Sequence, residues 1–103
     1  MTPDLNAIPL DTVGLQLCKM RGDELIMCEP LRFENGRAAV NTALRRAAIH
    51  GPIGPIGETG DYWADFLNEA GDWTDTIALS RAAWNSLKNK WARCKIERFV
   101  NDT

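Results

Sequence analysis

Histidine is nearly missing from this chain: His50 is the only one in 103 residues, and it sits beside Gly51-Pro52. Its position at an expected helix end gives it a structural role. No serine lies in a Gly-x-Ser-x-Gly elbow. Structural zinc needs about four ligands, usually in closely spaced Cys or His pairs. Cys18, Cys28, Cys94 and His50 are scattered and do not supply them. No catalytic, metal or cofactor site is expected. Three widely spaced cysteines are also an odd number for a disulfide framework, and reduced thiols are expected.

Apolar runs of the ~18 residues that span a membrane are lacking. A basic start followed by an apolar stretch is lacking at Met1-Thr2-Pro3-Asp4. The expectation is a cytoplasmic protein without membrane association. The formal net charge of -2 predicts no gross attraction to nucleic acid. The length suits a single domain over 1–103, large enough to fold around its own core.

Residues 1–12, with Pro3 and Pro9, read as an irregular lead-in. Two readings compete over 13–33. Leu15–Met20 and Glu24–Cys28 suit short strands around Arg21-Gly22-Asp23, while Val13, Leu17, Met20 and Met27 also fit a helical stripe. Gly14, Gly22 and Pro30 weigh towards strands. An Ala-rich helix follows over 37–49, with Val40, Ala43, Leu44, Ala47 and Ala48 as its apolar face. The Gly/Pro segment 50–60 reads as an extended connecting loop.

Aromatic and β-branched residues return at Tyr62–Leu67 and Trp73–Leu79, flanking Asn68-Glu69-Ala70-Gly71-Asp72; this predicts a hairpin over 62–79. A short helix over 61–70 is the rival reading. Ser80 then caps a helix over 81–95, whose Ala83, Trp84, Leu87, Trp91 and Cys94 fall on one face. Ile96, Phe99 and Val100 lie off that stripe, as a short apolar tail suited to packing back on the sheet. The predicted fold class is α+β, a small antiparallel sheet packed with helices near 37–49 and 81–95; a mostly α bundle is the alternative.

Charge is segregated along the chain. Glu58, Asp61, Asp65, Glu69, Asp72 and Asp75 run without an intervening Lys or Arg. Convergent carboxylates could hold Mg²⁺ or Ca²⁺, but the EF-hand spacing is missing. They could instead offer a negative surface to a basic partner, or simply solvate a hairpin. The polarity then inverts: Arg81, Lys88 and Lys95, seven residues apart, line up beside the Trp84–Leu87–Trp91 stripe. Basic side chains near aromatics suit phosphate contact, but they also shield an apolar stripe. The gap 71–80 is too long for a helix-turn-helix.

The stretches Gly71–Leu79 and Ala83–Cys94 resemble small accessory proteins encoded by temperate phages of Gram-negative bacteria; together they span about a fifth of the chain. The resemblance implies a short non-enzymatic protein that binds host machinery, a class including inhibitors of CRISPR defence and modulators of transcription. No functional residue carries over from it. The expected function is therefore a protein-binding module, anti-CRISPR-like, that occludes a basic surface on a host protein or ribonucleoprotein complex. Its expected contacts are Asp61, Tyr62, Asp65, Glu69, Asp72 and Asp75, with Tyr62 or an exposed Trp as anchor. The alternative is a DNA- or RNA-binding regulator using Arg81, Lys88 and Lys95. A homodimer is a further option.

Overall fold

The computed structural model describes residues 5–90 and 96–99, with Leu5 and the last four by their backbone only. Its elements are β1 (Gly14–Arg21), β2 (Glu24–Cys28), β3 (Leu31–Arg32), α1 (Gly36–His50), β4 (Ile53–Ile56), β5 (Tyr62–Leu67), β6 (Trp73–Leu79), α2 (Arg81–Lys90) and β7 (Ile96–Phe99). The strands form one antiparallel sheet in the order β4-β6-β5-β1-β2-β7, with β3 pairing the start of β1. The class is α+β.

Of the two readings of 13–33, the strands prevail. Gly22 sits at φ 61° in the turn between β1 and β2, a conformation that glycine adopts without a Cβ penalty. Pro30 interrupts the partner of β1 between β2 and β3, because it has no N–H for the ladder. Buried Gln16 lies opposite that break, and its amide donates to the Cys28 carbonyl.

Alternation along β1 and β5 splits the sheet into two faces. Leu15, Leu17, Ala64 and Phe66 meet the helices, joined by Ile77 and Leu79 of β6. Val40, Ala43, Leu44 and Ala47 of α1 and Ala83, Trp84 and Leu87 of α2 complete that core. Gln16, Cys18 and Met20 of β1 and Trp63 and Asp65 of β5 belong to the opposite face. The lead-in is more than irregular chain. It contains a 3-10 turn at Leu5–Ala7, Ile8 is buried in the core, and Arg37 of α1 donates to the carbonyls of Ile8 (2.8 Å) and Asn6 (2.7 Å).

Two expectations need correction. Segment 50–60 is not wholly a loop: Ile53–Ile56 forms the edge strand β4 against β6, with an irregular register. An edge strand tolerates Pro55, and Gly54 lies so close to Ala78 that a Cβ there would stand 2.9 Å from the alanine Cβ. The cysteines are not all reduced, since Cys28 is disulfide-bonded, whereas Cys18 is a free thiol. An odd number of widely spaced cysteines carries no sign of such a bond. The expected helix 81–95 is described to Lys90, and its Trp91, Cys94 and Lys95 lie outside the described residues. The apolar tail does return to the sheet, as β7 on β2.

Candidate functional site

The acidic residues all belong to the β5–β6 hairpin or its approaches, but they do not form one surface. Asp61 and Glu69 stand beyond opposite ends of a six-residue strand, about 20 Å apart. Asp61 is exposed, and its carbonyl accepts from the Met20 N–H. Tyr62 is half-buried and turned towards α2, its ring 5.5 Å from that of Trp84 in an edge-on contact. It is thus part of the core margin and not an exposed anchor. Period-2 alternation with Ala64 and Phe66 already places it on that face.

Asp65 lies on the other face and is half-buried in a small polar cluster. The Trp63 indole N–H donates to its Oδ1 (3.1 Å), and the buried Cys18 thiol donates to its Oδ2 (3.6 Å). Burial raises the Asp65 pKa above its ordinary value, although both hydrogen bonds oppose the shift. Burial likewise pushes the Cys18 thiol up strongly, helped by the adjacent Asp65 charge and hydrogen bond. A thiol held protonated is a poor nucleophile, so this arrangement works against thiolate chemistry.

Around the hairpin turn the arrangement is different. Asn68 closes it through its carbonyl to the Gly71 N–H (3.0 Å) and its side chain to the Asp72 N–H (3.1 Å). Glu69 and Asp72 are left exposed at its tip. Asp75 is half-buried, with its carboxylate accepting from the Thr76 N–H. Trp73 alternates in sequence with buried Ile77 and Leu79, yet it is 66% exposed. A register shift between Phe66 and Leu67 breaks the alternation there, pairing Asp75 with Phe66 but Trp73 with Leu67. Leu10, 85% exposed, borders the same region across a cleft of about 430 Å³ lined also by Asp11, Thr12, Arg37 and Glu69. Two exposed apolar side chains and three carboxylates therefore gather at this end of the sheet.

At the opposite end, which also carries exposed Asp61, basic side chains gather. Arg81 is exposed and Lys88 half-buried on α2, flanking Trp84, while Lys95 lies outside the described residues. Lys19, at the far end of β1, joins them. Its Nζ is 4.9 Å from the Trp84 ring centroid, and that of Lys88 is 5.8 Å away. Lys19 was missed in the sequence, although Leu15, Leu17 and Lys19 alternate onto one face. Trp84 itself is fully buried, and its indole N–H has no acceptor among the described residues.

Comparison with known protein families, curated proteins and solved structures finds no match. No group of His, Cys, Asp or Glu among the described residues could hold a metal ion, and no described helix is long and apolar enough to cross a membrane.

Proposed function

We propose that this chain is a small non-enzymatic protein-binding module that inhibits or modulates a host nucleic-acid-handling complex by occluding a basic surface. It would act in the cytoplasm, as an anti-CRISPR-like phage accessory protein does. The observation that carries this reading is Trp73, 66% exposed at the start of β6, next to the hairpin turn that also exposes Glu69 and Asp72. A desolvated tryptophan is a common source of binding energy at an interface, and complementary charge speeds encounter. Leu10 and Asp11 extend the same surface. Asp65 and Tyr62 contribute to folding more than to contact, because each is engaged by its own neighbours.

The test is capture of partners from a bacterial lysate, with and without nuclease, followed by mass spectrometry. One stoichiometric protein or ribonucleoprotein complex, retained despite nuclease and lost from Trp73→Ala and from Glu69→Lys/Asp72→Lys, is the expected result. Unchanged capture by all these variants would overturn the mechanism. Nuclease-sensitive recovery of many proteins would favour the rival, a DNA- or RNA-binding regulator using Arg81, Lys88 and Lys95.

A further inference from the structure

We propose that Lys19, Arg81 and Lys88 form a binding site for a terminal phosphate group, at the end of the sheet opposite Trp73. The site is independent of the hairpin-turn reading and shares no residue with it.

Three observations carry the proposal. First, cations from two elements converge on one fixed point. Arg81 and Lys88 lie three residues before and four after Trp84, and so share its side of α2. Lys19 comes from β1, in register with Tyr62, and the two ammoniums lie 4.9 and 5.8 Å from the same indole centroid. Second, no hydrogen bond or ion pair joins any of the three side chains to another described residue. Third, the cations repel one another. Lys19 holds its proton less tightly than usual, through burial first and then the positive charges of Lys88, Arg21 and Arg81. An anion at this point relieves that repulsion. Arg21 faces Glu24 across the β1–β2 pair and is left out of the site, whereas the position in register beyond Ile26, the partner of Lys19, is Arg98.

The chemistry of the ligand follows from what is buried. Trp84 is fully buried and Tyr62 packs edge-on against it, so neither ring offers a face on which a base could stack. The site therefore reads charge, not bases. A carboxylate or an internal phosphodiester brings one negative charge. A terminal phosphate brings about 1.5 to 2 and three acceptor oxygens, which match three converging cations. Such a group occurs on a free phosphorylated small molecule or at the phosphorylated end of a nucleic-acid strand.

NMR titration of the intact chain separates these sources. The probes are inorganic phosphate, a 5′-phosphorylated oligothymidylate, the same strand without its phosphate, and polyglutamate. The reporter is the Trp84 indole N–H, assigned by comparison with Trp84→Phe. Inorganic phosphate and the phosphorylated strand are expected to shift this resonance, more weakly as salt rises. Lys19→Met and Lys88→Met should each lower affinity about tenfold, and the exposed Arg81→Met should do so without touching the core. Tighter binding of the phosphorylated strand than of inorganic phosphate identifies a strand end as the ligand, and equal binding identifies a free phosphate. Trp73→Ala should leave these shifts in place. Equal binding of the unphosphorylated strand or of polyglutamate, or unchanged binding by Arg81→Met and Lys19→Met, would overturn the proposal.

Discussion

The two ends of the central strands use the same ingredients in opposite ways. Next to the hairpin turn that exposes Glu69 and Asp72, Trp73 is largely exposed. At the other end Trp84 is fully buried, and its charged neighbours, Lys19 and Lys88, lie against its ring. One tryptophan leaves its energy available for a partner, whereas the other has spent it on the fold. The difference arises from backbone, not composition. A register shift in the β5–β6 pair turns Trp73 out, while the regular stripe of α2 directs Trp84 into the sheet.

Substitution at the two tryptophans probes this contrast most strongly. Trp84→Ala should cost about 3–5 kcal/mol in urea denaturation, a large share of the roughly 5–15 kcal/mol that holds a domain of this size folded. Trp73→Ala should change stability by no more than ~0.5 kcal/mol while lowering partner affinity by about 2 kcal/mol or more. Equal stability losses at both sites would erase the distinction. Charge reversal gives the next largest difference. Asp72→Lys at the turn should be nearly neutral for folding. Asp65→Lys, in contrast, removes the acceptor of Trp63 and Cys18 and places an ammonium in their half-buried cluster, at a cost on the order of 2 kcal/mol. Similar melting temperatures for the two variants would contradict that placement.

How much of this was legible in the sequence depends on whether the determining contacts were local. The 62–79 hairpin, the Ser80 cap and the apolar stripe of α2 are encoded within a few residues of each other. The structure reproduces them, including the Ser80 side chain accepting from the Ala83 N–H at 3.1 Å. Strand β4 was hidden because Gly54 and Pro55 are poor strand residues, made acceptable only by an edge position against β6. The acidic run looked like one surface because adjacency in sequence hides alternation. Tyr62 and Asp65 point to opposite faces, and only Glu69 and Asp72 remain exposed together at the turn. The basic site was half visible, in Arg81 and Lys88, but Lys19 reaches it from a strand much earlier in the chain.

Asp65 also gives the comparison a pH signature. Below about pH 3.9, the ordinary aspartate pKa, both folded and unfolded chains hold this carboxyl protonated. As pH rises through that value the unfolded carboxyl ionises first, because burial raises the folded pKa. The folded chain then binds more protons, so this group's contribution to stability falls with rising pH until the folded pKa has been passed. Asp65→Asn should abolish that decline in a series of melting curves. Asp72→Asn at the exposed turn should leave it intact.

The smallest expected effect is one of reactivity. Cys18 lies beneath Trp63 and Asp65 on the face away from the helices, buried and with its thiol held protonated. An alkylating reagent at neutral pH should therefore leave Cys18 unmodified in the folded protein. In protein purified under oxidising conditions, unfolding without reductant should expose this single thiol, because Cys28 is then held in a disulfide and the chain has three cysteines in all. Unfolding with reductant should expose all three. Mass spectrometry of alkylated protein counts the sites directly. The same count bears on the compartment, since disulfides persist under oxidising conditions and are rare in the cytosol. Three reactive thiols in protein unfolded without reductant, straight from a cytoplasmic extract, would show that the Cys28 bond does not form there. One reactive thiol would instead count against the proposed cytoplasmic location.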